Sequence, residues 1–280
     1  MTTLTALQAS AYLHHLHVAS PDPDRLCAFY ARVMDMTRER QPDGSFLVRG
    51  PGRRLIVSEG PARTLVHTGF GVRDAEALRA LRGHVERSGL APAAFASRLF
   101  REEAFTVVDP DGNSMAFGLA APEEPARRAI RGPLQHLTLA TRDVAAIEDF
   151  YAGKLGFGVS DRVLREDGKV MTSFMRGNHE HHNLACFHQD RSGMDHHSYE
   201  AGEWDTIRDW ADHLASRGVR LMWGPGRHGP GNNLFIFAKD PDDNWIEISA
   251  ELEVIHDRPL KHWPHEPRTL NLWGDAIMRA

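Results

Sequence analysis

Apolar residues recur along this chain with two different spacings. In "LHHLHVAS" (13–20) and "LQHLTLAT" (134–141) they crowd into short runs, as strands with a buried face require. Further on the spacing widens. Leu78, Leu81 and Val85 fall on one face of a helix closed by Gly89, and Trp204, Ile207, Trp210, Ala211 and Leu214 fall on one face of another, closed by Gly218. "FTVVDPDGNSMAFGL" (105–119) and "IFAKDPDDNWIEISA" (236–250) each read as strand, turn and strand, because Asp-Pro followed by Asp-Gly or Asp-Asp is turn chemistry.

These paired patterns reveal a repeat. Residue 13 aligns with residue 134, and at the same offset of 121 residues "FYARVMDM" (29–36) falls on "FYAGKLGF" (150–157) without a gap. "LVHTGFGVRD" (65–74) resembles "MDHHSYEAGE" (194–203) and leads, like it, into a helix. Each half therefore reads as a strand, a helix ending in Phe-Tyr, two or three strands, and then the same again. Single helices among many strands predict an α+β fold with mostly antiparallel sheets. The expected domains are 1–122 and 131–252. The charged, Pro-rich stretch 121–133 is the linker, and 253–280 is a tail outside the repeat, packed on the second domain.

Composition narrows the function. The formal net charge of −5 argues against a nucleic-acid binder, which needs a basic face to neutralise phosphates. No apolar run approaches the roughly 20 residues that cross a bilayer, so no membrane is expected. The first residues lack a basic start before an apolar core, so no secretory signal is expected. Cys27 and Cys186 both lie in apolar contexts and read as reduced core residues of a cytoplasmic protein.

The 17 histidines are the compositional oddity. "HHNLACF" (181–187) reads as a buried strand that opens with two of them. At equivalent positions of the two halves stand His15 and His136, His67 and His196, and Ala116 and Glu247. The second half thus offers His, His and Glu on three strands, and the first half lacks the carboxylate. If one inward residue per strand converges, two histidines and a carboxylate make the facial metal site of non-haem Fe(II) oxygenases. Such an N2O donor set favours Fe(II) or Mn(II) over metals that seek thiolates. The spacing alone equally allows buried histidines satisfied by backbone and a glutamate in a salt bridge.

From residue 12 to about 250 the chain resembles the vicinal oxygen chelate superfamily, and within it the type I extradiol catechol dioxygenases. The resemblance rests on "LQHLTLAT", "MDHHSYEA" and "DPDDNWIE", and implies two domains, each of paired βαβββ modules forming an open barrel. It implies His136, His196 and Glu247 as metal ligands, with metal in the second domain alone. His182, opening "HHNLACF", would be the acid–base residue, and His228, after Gly-Arg in "GRHGPGNN", would bond a substrate hydroxyl. Phe237 stands where such proteins carry a substrate-facing tyrosine, so either the substrate is unusual or another group, Asn233 or His228, substitutes. Asp243 stands at a turn glycine's place. On this resemblance a catechol-type diol and O2 are the substrates, and the chain is expected to form a homo-oligomer. His181 and His197 are expected to point away from His182 and His196, and His179 and His188 to lie at the surface or behind the site. Trp263 and Trp273 would either cap the pocket or cover sheet. A glyoxalase-like lyase or isomerase is the rival activity, though Ala116 removes its extra carboxylate. A drug-binding resistance protein of the same fold is the rival without catalysis.

Overall fold

The computed structural model describes residues 3–101, 103–122 and 129–278. The first half runs β1 (Tyr12–Ser20), α1 (Pro23–Val33), β2 (Thr37–Arg40), β3 (Phe46–Gly50), β4 (Arg53–Glu59), β5 (Thr64–Gly71), α2 (Ala75–Arg87), β6 (Ala93–Ala94), β7 (Phe105–Val108) and β8 (Ser114–Gly118). The second repeats it. It runs β9 (Leu134–Thr141), α3 (Val144–Glu148), β10 (Gly158–Leu164), β11 (Val170–Arg176), β12 (Leu184–His188), β13 (Gly193–Gly202), α4 (Trp204–Ser216), β14 (Trp223–Arg227), β15 (Leu234–Lys239) and β16 (Trp245–Ala250). The tail adds β17 (Lys261–Pro264) and a single helical turn, α5 (Pro267–Leu270). The expected linker lies partly outside the described residues, at 123–128. No described helix is long and apolar enough to cross a membrane.

Each half is a strand–helix–three-strand unit used twice, giving two mixed sheets, one per half. The opening strands of paired units lie antiparallel at the sheet centre: β1 on β5, and β9 on β13. Each is flanked by a parallel closing strand, β4 and β8 in the first sheet, β12 and β16 in the second. The ends expected at Gly89 and Gly218 are observed for α2 and α4. Asp22 and Asp74 cap α1 and α2 by accepting from Arg25 N and Ala77 N. Gly89 and Gly218 follow α2 and α4 with φ of +80° and +74°, where a side chain would strain the backbone.

The expected Phe-Tyr helix end is displaced in both halves. Phe29 and Tyr30 lie inside α1, and after Glu148 the chain widens into a π-helical turn, Asp149–Lys154, that carries Phe150 and Tyr151. These tyrosines join the halves reciprocally. Tyr30 donates to Asp240 Oδ2 at 3.0 Å, and Tyr151 donates to Asp109 Oδ2 at 2.9 Å. Each aspartate opens the Asp-Pro turn of the opposite half. Within its own turn each also accepts backbone N–H groups, from Asp111 and Asn113 or from Asp242 and Asn244. One apolar core runs through both halves.

The tail behaves as expected in part. β17 extends the second sheet, parallel to β10. Trp263 and Trp273 do not line the pocket: Trp263 bonds Asp161 and packs beside Phe174 and Phe187, and Trp273 packs edge-on against exposed Trp204. The tail lends Leu270 to the pocket wall instead.

Candidate metal centre and active site

Strand register assembles the site. Ser198 on β13 is the partner of both His136 on β9 and Glu247 on β16, and Glu247 is in turn the partner of Phe237 on β15. Partnered residues share a sheet face. Phe237, Glu247, Ser198 and His136 thus form one row across four strands, and His196, two residues from Ser198, shares that face. His136 Nε2 lies 2.9 Å and His196 Nε2 3.4 Å from Glu247 Oε2. All three side chains are buried, and their donor atoms lie within 4.8 Å of one another. Among the described residues no other group of three has such convergent donors.

The surroundings fit a divalent cation. His196 Nδ1 lies 2.6 Å from Asp195 Oδ1, and His136 Nδ1 lies 3.3 Å from Gln135 Oε1. Those oxygens accept only, so each Nδ1 carries a proton, and with a cation bound each Nε2 would turn its lone pair to the metal, as metal-binding imidazoles require. Asn233 Nδ2 donates to Glu247 Oε1 at 3.2 Å and to Ser249 Oγ at 2.9 Å, holding the other carboxylate oxygen toward the histidines.

Electrostatics agree. Burial opposes charge on Glu247, but the histidines around it outweigh that and hold its carboxyl well below the usual range. Burial opposes charge on His196 too, yet Asp195 and Glu247 together raise its pKa. Burial lowers that of His136. This pocket is built for one extra positive charge.

Above the three side chains lies an apolar pocket walled by Phe174, Phe187, Trp223 and Phe237. His182 reaches into it with its ring centroid 4.4 Å from that of His136. Burial, then the rings of His136 and His181, pushes its pKa well below the usual histidine value, so it is neutral. His228 follows β14, stacks on Phe235 at 4.0 Å, and points Nδ1 at Leu270 O. A carbonyl accepts only, so Nδ1 carries a proton, and Nε2 lies 3.6 Å from Glu247 Oε1. Phe237 sits edge-on to His196 at 5.3 Å and stacks on Trp223. Asn233 lines the pocket, but its amide nitrogen is committed to Glu247 and Ser249. Asp243 has φ of +63°, the left-handed turn conformation that aspartate tolerates.

The reading of His181 changes. His181 and His182 precede β12 and lie in irregular chain, so strand alternation does not apply to them. His181 does not turn away: its Nδ1 lies 2.9 Å from His182 Nδ1, and it is fully buried. His197 turns away as expected, toward Tyr30 Oη at 3.3 Å, and is buried behind the site. The sequence reading missed Asp195, Gln135 and the lining aromatics Trp223, Phe174 and Phe187. In the first half His15, His67 and His17 form a chain, Nε2 to Nε2 and Nδ1 to Nδ1, each at 3.3 Å, and Phe100 packs on Ala116 where the carboxylate would stand.

The buried two-histidine, one-carboxylate cluster lies on a sheet of paired strand–helix–three-strand units and could hold a single metal ion. Residues 134–248 of the chain match the Glyoxalase/Bleomycin resistance protein/Dioxygenase superfamily. The chain is 31% identical over 129 residues to Metapyrocatechase 2 of Cupriavidus necator, spanning 46% of this chain but only 39% of that protein. It is 22% identical over 273 residues to a metapyrocatechase of Geobacillus stearothermophilus, covering 89% of this chain and 83% of its relative. Its fold overlays homoprotocatechuate 2,3-dioxygenase of Arthrobacter globiformis with a TM-score of 0.81, at 20% identity over 95% of this chain and 88% of that one. It overlays a Mn(II)-bound glyoxalase of Novosphingobium aromaticivorans almost as well, with a TM-score of 0.80 at 23% identity over 94% and 90%.

Proposed function

We propose that this chain is an extradiol ring-cleaving dioxygenase, which inserts O2 into a catechol-type diol beside its hydroxyls. The observation that carries the reading is the buried His136–His196–Glu247 cluster opening onto an aromatic-walled pocket that also holds His182 and His228. The N2O donor set suits Fe(II), with Mn(II) as the alternative. Such a metal, when bound, supplies adjacent open positions for the diol oxygens and O2 and passes electrons between them.

The chain's own residues do the rest. Phe174, Phe187, Trp223 and Phe237 clasp a planar ring and exclude water. Neutral His182 takes a diol proton and returns it as the ring opens, the double role that imidazole performs near neutral pH. His228 presents Nε2 to the pocket, within reach of a diol hydroxyl. All four electrons that reduce O2 come from the diol, so no external reductant is required. Phe237 brings no hydroxyl, which leaves substrate orientation to His182 and His228. Two buried, unpaired cysteines, Cys27 and Cys186, support a reducing cytoplasmic setting. The exposed Trp204–Trp273 pair with nearby Leu272 supports a homo-oligomer.

Substitution separates the two parts of the site. Glu247→Ala should lose bound metal and all oxygen uptake while the fold persists. His182→Ala should keep the metal and lose about 10²–10⁴-fold in turnover. Metal loss from His182→Ala would refute the ligand assignment.

A further inference from the structure

His182 does not stand alone behind the pocket. Its Nδ1 lies 2.9 Å from Nδ1 of His181, and His181 Nε2 lies 3.1 Å from Asp161 Oδ2. Asp161 accepts from Trp263 Nε1 at 2.7 Å and pairs with Arg258 at 2.9 Å. The His181 and Asp161 side chains are at most 1% exposed. The histidine's backbone is pinned as well: its N–H donates to Glu253 O at 2.8 Å, and its carbonyl accepts from Ser160 Oγ. A side chain at Gly231 would come within 3.0 Å of His181 Nδ1, so the glycine leaves room for the ring.

The geometry points to His181 and Asp161 as a positioning relay that sets which nitrogen of His182 faces the pocket. The inference rests on the dioxygenase reading for its purpose, though not for its geometry. The argument is one of donors and acceptors. Burial would raise the pKa of Asp161, but its bonds to His181 and Trp263 and the charge of Arg258 outweigh that and lower it, so it is a carboxylate. A carboxylate accepts only. The carboxylate favours a single ring proton of His181 on Nε2, the nitrogen 3.1 Å from it, and that placement leaves Nδ1 bare. Two nitrogens 2.9 Å apart must share one hydrogen, which then belongs to Nδ1 of His182. His182 Nε2 is left as a lone pair, the form that can take a diol proton. An imidazole held in the other tautomer could only donate. A carboxylate that fixes the tautomer of a catalytic histidine is established physical logic. Here the carboxylate acts through a second imidazole and is held in place by the tail, through Trp263 and Arg258.

The test reads the tautomer directly, without requiring turnover. Nitrogen-15 shifts of the histidine rings are recorded in zinc-loaded protein, with His182 assigned by its loss in His182→Ala. Wild type should show one tautomer with the proton on Nδ1. His181→Phe, which keeps a ring but offers no acceptor, should show a mixture, with kcat for a catechol down about 10–100-fold while KM and bound metal hold. His181→Asn restores an acceptor oxygen near the Nδ1 position, so it should recover the single tautomer and kcat to within about threefold. A proton on His182 Nε2 in wild type would overturn the relay even if catechols are cleaved. So would an unchanged tautomer and kcat in His181→Phe. If His181→Phe does not fold, the wild-type and His181→Asn spectra decide. If no catechol is cleaved by any form, the spectra still decide the relay, and only the dioxygenase reading fails.

Discussion

Asp195 holds the ring of His196, its immediate neighbour, through a 2.6 Å contact between Oδ1 and Nδ1. β13 shifts register on β9 between Met194 and His196, and this irregularity takes Asp195 out of strict alternation and brings its carboxylate to Nδ1 of the neighbouring ring. The carboxylate orients the imidazole and makes it a better donor. Asp195→Ala should therefore weaken metal binding by about 10–100-fold without removing a presumptive ligand. Calorimetric titration with Mn(II) measures this, and unchanged affinity would mean that strand packing alone orients His196.

The proton and the metal compete for one site. The folded-state pKa of His196 is raised above its usual 6.5, so the stability it adds to metal-free protein is full below about 6.5 and fades as pH rises through the raised value. That of Glu247 is depressed, so its contribution is present above about 4.5 and is lost as pH falls through the lowered value. Metal-free protein should gain most from this pair in the window between. Metal must displace the His196 proton, so the rise in melting temperature on adding Mn(II) should be larger near about pH 8 than near about pH 5.5. Equal rises at both would contradict the assignment.

The halves are locked by Tyr30 on Asp240 and Tyr151 on Asp109. Burial raises the pKa of each aspartate, and the tyrosine bond works against that rise. Removing the hydroxyl leaves a buried carboxyl short of a partner. Tyr30→Phe and Tyr151→Phe should each cost about 1–3 kcal/mol in chemical denaturation. Neither touches the pocket, so KM for a diol should hold; a shifted KM would show that docking of the halves shapes the site.

Phe237 is the register partner of Glu247 and meets the ring of His196 edge-on. A hydroxyl on this ring is aimed at the pocket's polar floor. Phe237→Tyr should change the ranking of catechols by kcat/KM while shifting stability by less than about 1 kcal/mol. An unchanged ranking would remove Phe237 from the substrate's reach.

The repeat was legible because two helix faces and two Asp-Pro turns recur with their glycines and aspartates in place. The three ligand candidates were legible because strand alternation and the repeat point to one residue per strand, and the observed register aligns them through Ser198. Other features had no such signal. His181 was misjudged because alternation was applied to residues that precede β12. Asp195 and Gln135 each act on the next residue's ring because β13 and β9 shift register at these two positions, and such shifts leave no periodic mark in the sequence. The π-helical turn at Asp149–Lys154 carries no sequence mark that distinguishes it from α-helix. The tail's route, which brings Trp263 to Asp161 and Leu270 to the pocket, is set by tertiary contacts with no periodic pattern of their own.

The central claim is tested most directly by oxygen uptake. Protein purified anaerobically and loaded with Fe(II) is mixed with a small panel of catechols in air-saturated buffer, with visible absorbance followed in parallel. The account predicts one O2 consumed per diol and a yellow ring-opened product, lost in Glu247→Ala. One metal bound per chain with no uptake for any catechol would contradict it and turn attention to the lyase chemistry of the glyoxalase relatives.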